Sequence, residues 1–375
     1  MSLARDLADL GSSATRLDTV GASSGSLSNR NMIINGAMQV AQRATSATGL
    51  GATSGYHVCD RWRLGAGSTA GRLTMTQESD GPSGFANCTK LACTTTDTSI
   101  AAGENLNIHQ IIEGQNLQRI CKGTSDAKEI TYSFYAKANA AATYTVDLFD
   151  ATNSRQISKT FSVTTAWTRV SLTFPADTTG AFADSNAIAL YVLIWLHAGS
   201  DYTSGTLNST SWASNVEANR VSSSQTSFLD STDRTFFITG AQLEIGSQAT
   251  DFEHLSYAQD LQLCQRYCVD LTPTSGTSPY IGASAAAGNT TVAVAHIALP
   301  VQMRATPSVT LSGTAGNYTV FNGADRTCTS YAINGMSPLG GGINFTCSGG
   351  GLTANDACGI YVANTNVRSI IEAEL

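Results

Sequence analysis

Hydrophobic and polar residues alternate with a period of two along much of the chain, which is the pattern of half-buried β-strands. In residues 128–137, for example, Ile130, Tyr132 and Phe134 would share one face of a strand, with polar residues between them. The same alternation recurs in residues 143–149, 158–163, 168–174, 187–196 and 236–245. Clusters of Gly, Asn, Asp and Ser separate these segments. Short strands at such spacing predict a jelly-roll β-sandwich over residues 31–255.

The period changes in residues 256–269, directly after this predicted sandwich. Tyr257, Leu261, Cys264 and Cys268 follow one another at steps of three or four residues and would share one face of a helix. We therefore predict a helix that connects two domains.

Residues 270–375 return to the β pattern. Strand-like stretches lie at residues 290–299, 308–311 and 362–375, separated by Gly-rich loops. This part of the chain is short, and we predict a second, compact β-sandwich. The predicted fold class is thus mainly β, with a short N-terminal helix followed by two jelly-roll-like β-sandwich domains that a helix joins.

The first thirty residues form a separate N-terminal segment, in which apolar residues recur at alternating steps of four and three. That spacing is typical of a helix that meets copies of itself. The predicted contact positions are Leu3, Leu7, Leu10, Ala14 and Leu17. One interpretation is an amphipathic helix packed on its own domain. The other is an attachment and oligomerisation segment, with residues 21–29 as a flexible linker.

Composition and charge narrow the function classes. Charged residues make up 13% of the 375-residue chain, against about 25% in an ordinary globular domain. The formal net charge is −7, and no basic patch stands out, which argues against a nucleic-acid partner. The N-terminus has no secretory signal pattern. The longest apolar stretch, residues 187–196, is far shorter than the ~20 residues of a membrane helix, so we expect no membrane insertion.

Catalytic and metal-binding motifs are not evident. The nine cysteines and five histidines show no zinc-ligand spacing, and the chain has neither a nucleophile elbow nor a phosphate-binding loop. The neighbouring acids Asp147 and Asp150, and likewise Asp230 and Asp233, are typical of turns. We therefore predict no enzyme activity, no metal site and no cofactor, although loop aspartates leave room for a structural calcium ion.

A ligand-binding surface is easier to derive. In residues 187–197 the aliphatic side chains would share one face, which leaves Tyr191, Trp195 and His197 on the other. Tyr202 and Trp212 follow in the next loop. Aromatic side chains with polar tips stack on sugar rings and anchor protein partners, so these five residues are the candidate binding residues. The alternative is that the strand is buried on both faces or at a subunit interface.

Three separated segments stand out along the chain. The first is NRNMIINGAMQVAQR at residues 29–43, followed by Tyr56 and by the triplet DRW at residues 60–62. The second consists of ITGAQLEIG, ATDFEH and SYAQDLQLCQRY, at residues 238–246, 249–254 and 256–267, and the third is LPVQMRATP at residues 299–307. In this order the three segments resemble virion proteins of bacteriophages, usually tail-fibre or appendage proteins.

This resemblance implies a structural, oligomeric and receptor-facing role, with a homotrimer as the common assembly. Residues 130–137, 167–174 and 240–243 also resemble the jelly rolls of carbohydrate-binding modules. Those modules often carry an acidic pair before the last strand, where this chain has Thr239 and Gly240. The resemblance therefore transfers no metal site and no ligand residues.

The leading hypothesis is a phage tail fibre that attaches the particle to a host-surface polysaccharide or lipopolysaccharide. Its N-terminal segment would bind other virion proteins, and the protein would reside in the virion. The alternative is a capsid fibre or decoration protein. A fibre-borne polysaccharide depolymerase is a third hypothesis, which two carboxylates about 5–10 Å apart in a cleft would favour.

Overall fold

The computed structural model describes residues 29–271, 280–281, 284–362 and 368–375. The predicted N-terminal helix, with Leu3, Leu7, Leu10, Ala14 and Leu17, lies outside the described residues. The chain divides into two compact units, and the division falls between residues 260 and 261.

The first unit contains thirteen strands, one short α-helix and two 3-10 helices in its described part. The 3-10 helices span Gly114–Ile120 and Glu217–Asn219, and helix α1 spans Ser200–Thr203. The strands are β1 (Ser46–Leu50), β2 (Gly55–Tyr56), β3 (Arg63–Gly67), β4 (Arg72–Glu78), β5 (Cys88–Thr95), β6 (Asn105–Glu113), β7 (Ile130–Ala138), β8 (Ala142–Asp150), β9 (Arg155–Val163), β10 (Thr168–Phe174), β11 (Ile188–Ala198), β12 (Ala213–Ser214) and β13 (Thr235–Ile245).

Two antiparallel sheets form this unit. A six-stranded sheet has the order β1-β4-β5-β13-β7-β10, and a seven-stranded sheet has the order β12-β9-β8-β11-β6-β3-β2. Neighbours in each sheet are mostly distant in sequence, as in a jelly roll. The inner faces meet through aromatic pairs: Phe134 contacts Phe161 at 5.1 Å and Tyr144 contacts Phe236 at 5.5 Å between ring centres. The predicted mainly β, sandwich-like architecture is confirmed.

The second unit contains nine strands in its described part. They are β14 (Cys268–Asp270), β15 (Ser284–Ala287), β16 (Val292–Ala298), β17 (Ser308–Leu311), β18 (Tyr318–Phe321), β19 (Asp325–Ser337), β20 (Gly340–Cys347), β21 (Ala357–Val362) and β22 (Ser369–Glu372), with a 3-10 helix at Ala315–Asn317. Six of them close into a barrel in the order β15-β16-β20-β19-β18-β21, and β14-β22-β17 form a separate sheet. The small β domain thus takes the form of a barrel with an added sheet.

Helix α2 spans Tyr257–Gln265 and is shorter than the predicted 256–269 helix. Ser256 begins it with a capping box, since its hydroxyl accepts from the Gln259 backbone N–H at 3.4 Å and its own backbone N–H donates to Gln259 Oε1 at 3.0 Å. The helix ends early because Cys268 continues into β14, which pairs with β22. No helix in the described part of the chain has the length and apolar character needed to span a bilayer.

Two of the segments that carry the phage resemblance meet in the first unit. Residues 31–36 lie along β13, where Met32 N–H donates to Leu243 O at 2.9 Å and Ala241 N–H donates to Gly36 O at 3.0 Å. Gly36 is required here, because a Cβ at this position would lie 2.1 Å from Ala241 O. The Asn31 side chain adds hydrogen bonds to both partners, at 3.1 Å each.

Candidate functional site

A cleft of about 270 Å³ lies on the face of the seven-stranded sheet that is turned away from the sandwich core. Strands β3, β6, β8 and β11 supply its floor, and the segment between β11 and β12 with the residues after β12 supplies its wall. Its lining residues are Ser54, Arg63, Gly65, Asn105, Asn107, His109, Phe149, Tyr191, Leu193, Trp195, Tyr202, Glu217 and Arg220.

Strand register places these side chains in rows that cross the sheet. One row consists of Asp147, Leu193, His109 and Arg63, which are direct neighbours on β8, β11, β6 and β3. At about 4.8 Å per strand this row spans about 14 Å. A second row runs through Trp195, Asn107 and Gly65. Because alternate residues of a strand share a face, the side chains of both rows lie on the cleft side of the sheet, where Asp147 is buried beneath Arg220 and Trp195.

Aromatic side chains form the apolar part of the cleft. Trp195 and Tyr202 contact each other at 5.0 Å between ring centres, and Tyr191 lies 5.9 Å from Phe149. Trp195 is only 2% exposed, because it packs with Leu193 and Val221 in a small apolar cluster separate from the main core. Tyr191 and Tyr202 are half-buried and keep part of their rings available to a ligand.

Arg220 is the polar centre of the wall. Its Nε donates to Asp147 Oδ2 at 2.8 Å and its guanidinium also binds Glu217 Oε2 at 3.1 Å. Its Cζ lies 4.7 Å from the ring centre of Phe149 and 5.2 Å from that of Trp195. Burial opposes the charge of Arg220, but the two carboxylates outweigh it and raise the pKa of the guanidinium. The arginine therefore stays charged and fixes the aromatic rings beside it.

Asp147 lies fully buried beneath this group. Its carboxylate accepts hydrogen bonds from Trp195 Nε1 at 3.2 Å and from Ser158 Oγ at 3.1 Å, besides that from Arg220. All the partners are donors, which is how a buried carboxylate is stabilised. Asp147 thus holds the indole of Trp195 in place from below and does not itself line the cleft.

His109 supplies an unused hydrogen-bonding atom. Its Nδ1 lies 2.7 Å from Asn107 Oδ1, so Nδ1 carries the proton and Nε2 is the acceptor. Nε2 is buried and has no hydrogen-bond partner among the described residues. Burial, assisted by Arg63, Arg220 and Arg61, lowers the pKa of His109 to about 3. The imidazole is therefore neutral near pH 7, and its Nε2 can accept a hydrogen bond from a donor such as a hydroxyl group.

The structure brings together three of the five predicted binding residues. Tyr191, Trp195 and Tyr202 all line the cleft. His197 does not, because it is completely buried at the end of β11, with Nδ1 2.8 Å from Ser227 Oγ. Trp212 lies elsewhere on the unit, where its Nε1 donates to Pro175 O at 2.9 Å and its ring packs beside the Lys122 ammonium.

The polar residues of the site were not among the predicted binding residues; they are Arg63, Asn107, His109 and Arg220. A signal was present in β6, where Asn105, Asn107 and His109 alternate with Leu106 and Ile108. Polar side chains on one face of an otherwise apolar strand indicate that this face is not core. Arg220 had no comparable signal, because it follows an irregular segment.

One cluster of described residues has the ligand types for a cation. Asp97, Glu104 and His197 are buried, and their ligand atoms lie within 4.8 Å of one another. These groups already have hydrogen-bond partners: His197 Nε2 lies 3.3 Å from Glu104 Oε2, and Asp97 accepts from Thr69 Oγ1 and Ala70 N–H, each at 2.7 Å. The predicted turn acids also have partners, since Lys122 binds Asp150 at 2.6 Å and Arg234 binds Asp230 at 2.6 Å.

Comparison with solved structures finds carbohydrate-binding modules and a phage tailspike. A family 4 carbohydrate-binding module shares 14% identity over 50% of this chain and 88% of its own, with a TM-score of 0.28. The family 11 module of Clostridium thermocellum, in complex with a β-1,3-1,4-mixed-linked tetrasaccharide, shares 10% identity over 52% of this chain and 91% of its own, with a TM-score of 0.27. The enzymatically active domain of tailspike protein 4 from bacteriophage CBA120 shares 12% identity over 58% of this chain and 21% of its own, with a TM-score of 0.29.

No protein-family model matches the chain, and no curated protein sequence matches it. Identities and TM-scores are low for all three structures, so we infer the function of the cleft from its own residues.

Proposed function

We propose that this protein binds a glycan in the cleft of the seven-stranded sheet, without catalysis, and that it does so as a structural protein of a bacteriophage particle, most simply a tail fibre. The observation that carries the proposal is the combination of Tyr191, Tyr202 and Trp195 with fixed polar groups in one open cleft. The virion role rests on the resemblance described above.

The chemistry of the cleft suits a sugar. A pyranose presents C–H groups on its faces and hydroxyl groups on its edge. Aromatic rings stack on such faces, and convergent polar groups bind the hydroxyls. Tyr191 and Tyr202 supply the rings, while His109 Nε2, Asn107 and Arg63 supply polar contacts along the floor. Tyr191 packs against Phe149, Tyr202 packs against Trp195, and His109 binds Asn107. These groups are therefore held in place before a ligand arrives, which reduces the entropy lost on binding.

The charged groups of the cleft favour binding over hydrolysis. Glu217 is the one carboxylate among its lining residues, and Arg220 holds it in an ion pair. Glycoside hydrolysis in most families uses two carboxyl groups that flank the bond. Asp147 is fully buried behind Trp195 and cannot serve as the second group in this arrangement.

Binding to a glycan array tests this function. We expect the full chain to retain a defined set of polysaccharides or oligosaccharides, and Tyr191→Ala and Tyr202→Ala each to weaken binding about tenfold or more, since aromatic contacts of this size contribute on the order of 1–2 kcal/mol. Tyr257→Ala is the matched control, because this tyrosine is exposed on α2 and does not line the cleft. Equal binding by all three variants would exclude the cleft as the site.

Antibody labelling of intact particles in electron micrographs tests the virion role. A tail fibre predicts label on the tail or its appendages. Label on the capsid would instead support the capsid fibre or decoration protein. The absence of the protein from purified particles would refute both virion functions and leave glycan binding to be judged on the array.

A further inference from the structure

We infer that the cleft selects an anionic glycan, and that Arg63 binds a carboxylate or sulfate group of the sugar. This inference rests on the proposed glycan-binding function and adds the chemical class of the ligand. It also implies that the two ends of the cleft prefer different groups of the sugar: an acidic group at Arg63 and neutral hydroxyl groups at Glu217.

Arg63 is the charged group of the cleft that lacks a partner. It makes no hydrogen bond or ion pair with any described residue, although it is half-buried at the start of β3 and lines the cleft. The other charged lining residues, Arg220 and Glu217, form an ion pair, and Arg220 also pairs with the buried Asp147. An arginine without a counter-ion in a partly desolvated groove retains its full capacity for a planar anion.

The groups around Arg63 leave it free for a ligand. Its direct neighbour on β6 is His109, which is neutral near pH 7 and therefore does not compete for a carboxylate. His109 and Asn107 bind each other, and neither side chain forms a hydrogen bond with the guanidinium of Arg63. Gly65 follows on the same face of β3, and the absence of a side chain there makes room for Asn107, whose Oδ1 would lie 2.4 Å from a Cβ.

The opposite end of the cleft has the reverse polarity. Glu217 is half-exposed, and its second oxygen accepts from Asn215 Nδ2 at 2.6 Å. Arg220 binds both Glu217 and Asp147. The backbones of Asp147 and Arg63, at the two ends of one cross-strand row, lie about three strand spacings apart, or about 14 Å. A sugar with an acidic substituent would therefore be oriented, with the acid at Arg63 and neutral hydroxyl donors at Glu217.

A glycan array with matched pairs tests the inference. The pairs are galacturonan oligosaccharides with free or methyl-esterified carboxyl groups, and galactan oligosaccharides with or without sulfate esters, printed beside the other neutral and acidic polysaccharides of the array. We expect the full chain to bind the acidic member of a pair more tightly than the neutral member. A preference within the galacturonan pair would show that the cleft binds carboxylate, and a preference within the galactan pair would show that it binds sulfate. Binding should weaken as salt rises, because the contact is charged.

The variants assign the selectivity to one side chain. We expect Arg63→Gln to weaken binding of the acidic glycan about tenfold or more, in line with a charge-assisted hydrogen bond, and to change binding of neutral glycans less than threefold. Arg63→Lys should retain part of the affinity, since it keeps the charge but not the fork of donors. Lys128→Gln, an exposed site that does not line the cleft, controls for net charge.

The outcomes separate this inference from the proposed function. Two outcomes would overturn the role of Arg63 and leave glycan binding intact. In the first, the full chain binds only neutral glycans. In the second, Lys128→Gln loses binding of the acidic glycan and Arg63→Gln does not. No retention of any glycan by the full chain would refute both. Thermal unfolding followed by tryptophan emission confirms that Arg63→Gln is folded, because all four tryptophans lie in the first unit.

Discussion

At the scale of single residues, the cleft depends on one buried ion pair. Arg220 compensates Asp147, whose side chain has no exposed surface, and both fix Trp195. Removing one partner of a buried pair leaves an uncompensated charge and costs about 3–5 kcal/mol. We therefore expect Arg220→Ala to lower the free energy of unfolding of the first unit by about that amount.

A double-mutant cycle separates the pair from its surroundings. Asp147→Asn combined with Arg220→Ala should cost clearly less than the sum of the single substitutions, because the double variant no longer buries a lone charge. Urea unfolding followed by tryptophan emission measures all four proteins. Arg234→Ala, which breaks an exposed pair with Asp230, should cost less than about 1 kcal/mol. Additive effects at Asp147 and Arg220 would show that the pair is not coupled.

His109 should make the first unit sensitive to acid. Its folded-state pKa is about 3, whereas the unfolded chain titrates near the ordinary value of 6.5. Between these values the unfolded state binds one more proton, so the free energy of unfolding falls as pH decreases, by roughly 1.4 kcal/mol per pH unit from this group. We expect His109→Gln to lose less stability than the natural protein between pH 6 and pH 4.

Urea unfolding at several pH values, followed by tryptophan emission, measures this difference. His254→Gln is the matched control, because it removes a histidine of the same unit that lies outside the cleft. An unchanged slope in His109→Gln would mean that other groups govern the response to acid.

At the scale of elements, a second buried cation joins three segments of the first unit. Lys122 follows the first 3-10 helix and binds Asp150 of β8 at 2.6 Å and Asp177, after β10, at 3.0 Å. Its ammonium also donates to Thr179 O and Gly180 O, at 2.9 and 2.8 Å. The lysine therefore joins the connection between β10 and β11 to the end of strand β8.

Lys122→Met should free this connection. We expect limited proteolysis to cut within residues 175–187 much faster than in the natural protein. Thermal unfolding of the first unit should occur at a lower temperature, because Asp150 loses its cation and Asp177 retains only Arg155. Lys137→Met is the control: its pair with Asp80 is partly exposed and should contribute less than about 1 kcal/mol. Equal protease sensitivity of the two variants would contradict the role of Lys122.

The elements also show what the sequence could predict. The alternation in residues 187–196 correctly predicted that Leu190, Val192 and Ile194 face the core. It could not show that residues 199–222 fold back over the other face, because the position of a loop is determined by tertiary contacts. Tyr202 and Val221 of that loop pack on Trp195, whereas His197 is buried against Glu104 and Ser227. The alternative of a strand buried on both faces therefore describes most of β11.

At the scale of the whole molecule, strand content was easier to predict than closure. The strands at 292–298 and 308–311 lie where the period-two pattern predicted them. The barrel depends on close backbone approach, as at Gly340, where a Cβ would lie 2.2 Å from Ile297 O. A single glycine in a Gly-rich chain does not identify such a contact. The closure of the strands into a barrel could therefore not be predicted from the sequence.

At this scale, the number of chains in the assembly should determine how tightly the protein binds a polysaccharide surface. We expect the full chain to sediment as a trimer and a chain that begins at Asn29 to sediment as a monomer. The shorter chain would lack the predicted helix seam, which is the row of contact positions that includes Leu3, Leu7 and Leu10. Leu7→Asp with Leu10→Asp should have the same effect in the full chain. Asp9→Ser, off the seam, should leave the trimer intact.

Avidity then predicts a difference between two binding measurements. Three linked sites raise the affinity for an immobilised polysaccharide by effective concentration, by roughly 100-fold or more, without changing any single site. We therefore expect the Leu7→Asp, Leu10→Asp protein to lose that factor on a polysaccharide surface, and to bind a short oligosaccharide in solution as the natural protein does. If the natural protein is a monomer, the N-terminal helix is not an oligomerisation segment. That result would favour a decoration protein whose copies are arranged only by their binding to the particle. Equal loss in both measurements would instead indicate that the substitutions damage the cleft.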